Sequence, residues 1–436
     1  MTSVDEATRA AWTATLRRSP VLAHLTDEQR AGLIDGEVPR VFADGQVLVG
    51  GDAPAREALL VVEGSCAAVR GNESMRMQAP VLVGEISTLT GTPSLATVRA
   101  VGDAVAVAIT RERLLAAIRT SAAAGQELTN VVAQWLCAPG SSGRLGRFPV
   151  DGIMGEGGSG RVLRARHPLL GIPLALKMLS HALALSPDGP RAFIREASLL
   201  VHLDHPGIVR VLDAFEAHGT FFIVMPWIEG ATLREHIDRH SSLRPDQVIH
   251  IAEETLDALV VLHAAGLVHR DVKPSNLLLR PSGRVVLIDL GIACQRDASG
   301  SGRLVGSPTY CSPEQILGRP VDGRSDVYSL GCTLYELVFG RPPFEGDDID
   351  ALLLAHLHAT PSFDRPLAVP MSEPFVRWLG RCLSRTRLSR PDAAQARAEL
   401  SALAPPAPVE RIAPRARVTV PMPVLLEQET EAGVRV

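Results

Sequence analysis

Lysine is nearly missing from this chain. Of the 44 lysine and arginine positions two are lysine, Lys177 and Lys273, and 42 are arginine. Arginine serves wherever the surface needs only positive charge. A retained lysine therefore marks a place that wants a compact ammonium on a flexible stem, which a planar guanidinium cannot supply. Long apolar runs are missing too. None approaches the ~18 residues that cross a bilayer, and the N-terminus has no basic-then-apolar leader, so a soluble, cytoplasmic protein without a membrane span is expected. Excess charge is absent as well: a net charge of -4 gives no electrostatic footing for nucleic acid or an anionic membrane. The six cysteines, Cys66, Cys137, Cys294, Cys311, Cys332 and Cys382, form no Cys-x-x-Cys pair. They read as reduced thiols, not as a zinc site or a disulfide framework.

What is present is enough for several cores. A length of 436 residues with 46% apolar content predicts two or three domains. Residues 1–35 look helical, with Leu22, Leu25 and Leu33 on one face. From Val38 to Ile109 short apolar runs are cut by glycine, as in Leu59-Leu60-Val61-Val62 before Gly64, which predicts a small β-barrel or jelly roll. Helix is expected from Arg111 to Leu136, weakened by Gly125. Leu128, Val131, Val132 and Trp135 lie at helical spacing there, as core or interface. Residues 138–147, with Ala138-Pro139-Gly140-Ser141-Ser142-Gly143, read as a flexible linker. A larger unit spans 148–403, strand-rich at first and then mainly helical. A proline-containing tail, 404–436, is expected to be disordered.

Chemistry concentrates in the larger unit. Gly155-Glu156-Gly157-Gly158-Ser159-Gly160-Arg161-Val162 is a G-x-G-x-x-G-x-V run, in which Gly155, Gly157 and Gly160 let a hairpin backbone approach phosphate oxygens. Dinucleotide-binding folds use a similar string, but there a helix follows. Here Arg161-Val162-Leu163 and Leu174-Ala175-Leu176-Lys177 both look like strands. Further on stand His269-Arg270-Asp271-Val272-Lys273-Pro274-Ser275-Asn276 and Asp289-Leu290-Gly291. With these motifs residues 148–403 resemble a Hanks-type (eukaryotic-like) bacterial serine/threonine protein kinase.

The resemblance implies a bilobal, multidomain α+β protein that uses ATP and Mg2+ and acts on protein Ser/Thr hydroxyls. Asp271 would accept the substrate hydroxyl's proton, Lys273 would neutralise the transferring phosphoryl group, and Asn276 and Asp289 would hold the metal. Lys177 would bind the α- and β-phosphates, paired with Glu196 of a helix. Val162, Ala175 and Leu278 would sandwich adenine. Met225 would be the gatekeeper, and the Ile228 backbone would bond the base beyond Pro226, which has no N–H to offer. Glu314 would pair with Arg390, Asp326 would brace the catalytic loop, and Ser307 would contact Asp271 and Lys273. Ser299 and Ser301 are the expected phosphorylation sites, with Arg270 as the phosphate's partner. Cys311 lies in the substrate-facing loop and reads either as a reactive thiol or as a small buried one.

Residues 15–137 resemble a cyclic-nucleotide-binding domain. Gly84-Glu85-Ile86 through Pro93-Ser94-Leu95-Ala96-Thr97-Val98 matches its phosphate cassette, in which Glu85 would meet a ribose hydroxyl. The cassette's arginine falls at Ser94, which removes a charge-assisted contact to phosphate. A small-molecule receptor and a jelly roll kept for protein contact or homodimerisation both stay open. The Gly/Ser linker favours docking or dimerisation over rigid mechanical coupling to the kinase unit.

Overall fold

The structure is a computed structural model. It describes residues 6–50, 53–70, 73–94, 96–138, 143–157, 160–239, 243–289 and 307–403, apart from the side chains of residues 6, 7, 156, 157 and 196. The expected tail 404–436, the two expected phosphosites Ser299 and Ser301, the tip of the glycine run and Cys294 lie outside the described residues.

The N-terminal unit starts with two helices, α1 (Glu6–Leu16) and α2 (Asp27–Ile34). The second begins with a capping box in which Thr26 and Gln29 exchange side-chain and backbone bonds of 2.7 and 3.2 Å. Eight strands follow: β1 (Arg40–Phe42), β2 (Val47–Val49), β3 (Glu57–Glu63), β4 (Ser65–Arg70), β5 (Glu73–Gln78), β6 (Val81–Val83), β7 (Thr97–Ala100) and β8 (Ala104–Thr110). They form two antiparallel sheets of order β1-β8-β3-β6 and β2-β7-β4-β5, a small jelly roll. The helix α3 (Glu85–Thr90) lies between β6 and β7.

The run in β3 is continuously apolar because both its faces are covered. Leu59 and Val61 fill the interior of the roll, while Ala58 and Leu60 face a second core built with the helices. The single helix expected over Arg111–Leu136 is two, α4 (Arg111–Arg119) and α5 (Ala122–Cys137). Thr110 and Ser121 cap them by accepting the Arg113 and Ala124 amides at 3.4 and 3.2 Å. A Ser after a Thr is a start signal for a new helix, which breaks the longer run.

The C-terminal unit opens with β9 (Arg144–Leu145), β10 (Phe148–Gly157), β11 (Gly160–Arg166) and β12 (Pro173–Leu179). Two helices, α6 (His181–Ala184) and α7 (Gly189–Val201), come next, and then β13 (Asp213–Ala217) and β14 (Thr220–Pro226). These strands make one antiparallel sheet, β13-β14-β12-β11-β10-β9. The expected linker is therefore structured at its end: Leu145 pairs with Phe148 and is fully buried. The second lobe holds a short sheet of β15 (Ala231–Thr232), β16 (Leu277–Leu279) and β17 (Val285–Leu287). Around it pack the helices α8 (Leu233–Asp238), α9 (Pro245–Ala264), α10 (Pro313–Ile316), α11 (Gly323–Phe339), α12 (Ile349–His358), α13 (Glu373–Cys382) and α14 (Ala393–Leu403).

The two units pack against each other. Strand alternation in the first lobe of this unit sends Ala175 and Leu179 to the interlobe core but Leu174, Leu176 and Met178 to the opposite face. On β14, Ile223 and Met225 point one way and Phe222 and Val224 the other. That outer face shares one core with Leu128, Val132, Ala133 and Leu136 of α5, all at 3% exposure or less. An apolar sheet face of this size needs a cover, and the N-terminal unit supplies it.

Gly125 of α5 lies directly against α6. A Cβ at Gly125 would lie 2.7 Å from the backbone N and Cα of Ala182. Helix propensity alone says Gly125→Ala should stabilise by about 1 kcal/mol. The contact instead predicts a loss of about 1–3 kcal/mol through overpacking, and urea denaturation of the two proteins reads the sign.

Candidate active site

Gly155, Gly157 and Gly160 lie on β10 and β11, which pair antiparallel from Val150 with Ala165 to Gly157 with Gly160, with register shifts between Val150 and Gly152 and between Ile153 and Gly155. Gly160 has φ of +148°, and a Cβ there would fall 1.8 Å from the carbonyl oxygen of Met178. No other residue fits that position. Gly155 has open space around its missing Cβ, so protein packing does not demand that glycine. Behind the hairpin, Val162 pairs with Lys177 and Ala175 pairs with Met225. Val162, Ala175 and Ile228 are half-buried, and Met225 and Leu278 are buried.

Lys177 is 6% exposed. Its ammonium is ion-paired with Asp289, two residues beyond β17. Burial works against the Asp289 charge, but the Lys177 ammonium outweighs it and holds the carboxyl below its ordinary value. The expected Lys177–Glu196 pair involves a side chain outside those described. Glu196 itself lies on α7, whose buried face is Phe193, Ala197 and Leu200.

Asp271, Lys273 and Asn276 come together in the loop before β16. Lys273 Nζ lies 2.6 Å from Asp271 Oδ2 and donates to Ser307 Oγ at 2.6 Å. Asn276 Nδ2 donates to the Asp271 carbonyl at 2.8 Å and to its Oδ2 at 3.1 Å, and the Ser307 amide donates to Asp271 Oδ1 at 3.0 Å. The Asn276 amide nitrogen is thus engaged, and its oxygen is the atom it can offer a cation. Among the described residues no group of three or more His, Cys, Asp or Glu could cage a metal alone. A carboxylate at Asp289 and an amide oxygen at Asn276 are oxygen donors of the kind that would suit a hard ion such as Mg2+.

Asp326 supports the loop from below. It is fully buried, and its carboxylate accepts from the backbone amides of His269 and Arg270 at 2.8 and 2.7 Å and meets His263 Nε2 at 2.8 Å. Burial disfavours its charge, but these donors keep its pKa below the ordinary value. Glu314 is bound bidentately by Arg390 at 2.6 and 2.7 Å and accepts from the Ser325 hydroxyl. Cys311 is buried, donates to the Pro308 carbonyl at 3.2 Å, and burial pushes its thiol up to about 12. Of the two readings of that thiol the structure takes the unreactive one.

Sequence reasoning missed His181, Thr129 and His218, which join the two units. The available signal was the apolar character of both faces of β12 and β14, since a strand apolar on both sides is covered on both.

The protein kinase domain model matches residues 148–400, and the cyclic nucleotide-binding domain model matches residues 39–121. A probable serine/threonine-protein kinase of Streptomyces coelicolor is 39% identical over 225 residues, covering 50% of this chain and 33% of the relative. Serine/threonine-protein kinase PkaA of the same organism is 38% identical over 264 residues, 57% of this chain and 48% of the relative. PrkC of Bacillus subtilis, also a serine/threonine-protein kinase, is 37% identical over 224 residues, 50% of this chain and 35% of the relative. The chain spans between a third and a half of the length of these three relatives.

The Glu314–Arg390 pair predicts a stability loss on Glu314→Gln of about 3–5 kcal/mol, because a guanidinium with no exposed side-chain surface loses its counter-charge. The folded-state pKa of Glu314 lies below the ordinary 4.5 despite burial, held there by Arg390. Its contribution is therefore complete above that ordinary value and lost as pH falls through the folded one. Urea denaturation at neutral pH and in the acid range should show the gap between the two proteins closing on acidification.

Proposed function

The chain belongs to the protein kinase family, and on that premise we propose that it transfers the γ-phosphoryl group of ATP to serine and threonine hydroxyls of protein substrates, under control of its N-terminal domain. The observation that carries this reading is the convergence of Asp271, Lys273 and Asn276 below an ion-paired Lys177 and Asp289. Both lysines of the chain stand in this one cleft.

In this reading the base is Asp271. Ser307 and Lys273 fix the direction of its carboxylate, which takes the substrate hydroxyl's proton as the oxygen attacks phosphorus. Lys273 then balances charge on the phosphoryl group in flight, and Lys177 leaves Asp289 for the α- and β-phosphates. Asn276 and Asp289 would hold Mg2+, which neutralises phosphate charge when bound. Val162, Ala175, Leu278 and Met225 would enclose adenine, with the Ile228 backbone as its hydrogen-bonding partner. A lysine two residues after Asp271 supports Ser/Thr over Tyr substrates, as do the names of the relatives.

For the N-terminal domain we propose control by contact with the kinase unit. Ser94 offers no cation to a cyclic phosphate, and burial raises the pKa of the half-buried Glu85 carboxyl. Melting curves with cyclic AMP and cyclic GMP should show no rise in midpoint; a rise that Glu85→Ala abolishes would restore the cyclic-nucleotide reading. Purified protein with labelled ATP and a protein acceptor should show transfer that Asp271→Asn lowers by about a hundredfold or more. Equal label in both would sink the kinase reading.

A further inference from the structure

The contact between the two units converges on one histidine. Thr129, on α5, is fully buried. Its hydroxyl oxygen accepts the His181 backbone N–H at 2.8 Å and lies 3.0 Å from His181 Nδ1. On the other side of the ring, Nε2 stands 2.9 Å from the carbonyl oxygen of His218, in the turn between β13 and β14. A carbonyl can only accept, so Nε2 carries the proton and Nδ1 of the neutral ring is an acceptor for the Thr129 hydroxyl. That hydroxyl also lies 3.0 Å from the Gly125 carbonyl, so its one proton is shared between two acceptors. Burial keeps the ring neutral by drawing its pKa down to about 4. The His218 ring in turn packs edge-on against Trp135 of α5, with centroids 5.0 Å apart.

Movement of α6 is passed on to α7. Ser186 donates to the Leu183 carbonyl at 2.7 Å and accepts the Gly189 amide at 3.1 Å, so the short joint is bridged. Gly189, the first residue of α7, lies so close to α6 that a Cβ would fall 1.9 Å from the Leu183 carbonyl oxygen. Glu196 follows on the same helix.

We propose that His181 is a positioning residue for phosphoryl transfer: clasped between Thr129 and the His218 carbonyl, it fixes α6 and, through the bridged joint, the helix that bears Glu196. This rests on the kinase reading of the cleft. The N-terminal domain is then a fixed support for α7, and a shift of α5 is felt at the Lys177 side of the active site without any contact to the substrate.

Thr129→Val keeps the side chain's shape and removes the hydroxyl, whereas Thr129→Ser keeps the hydroxyl. In the full chain, Thr129→Val should raise hydrogen exchange of the amides in 189–201 by about tenfold and lower kcat by about the same factor, as expected for one lost buried hydrogen-bond partner. The KM for peptide should stay unchanged, and Thr129→Ser should restore both kcat and exchange. Asn130→Ala removes the 3.0 and 2.8 Å bonds from Arg161 on the same contact surface but leaves the clasp, so it should not alter exchange in 189–201. Should Thr129→Val fail to fold, His181→Phe reads the same exchange. The proposal is overturned if exchange in 189–201 is the same in wild type, Thr129→Val and Thr129→Ser, or if Asn130→Ala raises it equally. Wild-type protein with no transfer but the expected exchange pattern would remove the kinase reading and leave the clasp standing.

Discussion

The carboxylate of Asp326 is the fixed point of the catalytic lobe. One buried anion accepts the amides of His269 and Arg270 and meets the His263 ring. Arg270 holds φ of +66°, in the left-handed region that a side chain avoids. A conformation of that kind persists only where its surroundings over-determine it, and Asp326 does so from below while Gln315 donates to the Arg270 carbonyl at 2.8 Å from the side. The strained residue is the one before Asp271. The orientation of the proposed base is therefore inherited from a residue on α11 that touches neither nucleotide nor substrate.

A second ion pair ties this lobe together. Arg390, with no exposed side-chain surface, reaches from the loop before α14 to Glu314 on α10 and also stacks over the Tyr328 ring at 4.8 Å. The segment carrying Ser307 is thus anchored at its far end, while its near end meets Asp271 and Lys273 directly. Charge is neutralised locally at each of these points, which is how so many buried ionic groups coexist in one lobe.

The clustering of the proposed catalytic residues was legible in the sequence because it depends on residue identity at short spacing. Asp271, Lys273 and Asn276 lie within six positions of one another, so the loop that joins them also brings them together. The coupling of the two units was not legible, because His181 and Thr129 are 52 residues apart and neither belongs to a pattern. Gly125 looked like a weak point in a helix when judged by propensity; its role appears only once Ala182 is placed against it. The glycine- and serine-containing stretch before Leu145 suggested looseness, yet composition at a junction says nothing of the surfaces on either side. Those surfaces carried the information: Leu174, Leu176, Phe222 and Val224 point away from the cleft and are apolar.

That shared core bears on how such a chain can be reassembled by recombination. A crossover at residues 138–147 would look harmless on paper, since few side chains are cut. The fragment downstream would be born with a greasy sheet face and no lid for it, prone to stick to its neighbours. Exchange of N-terminal modules between chains of this build therefore has to carry α5 along, or rewrite the outward-facing positions of β12 and β14 in the same step.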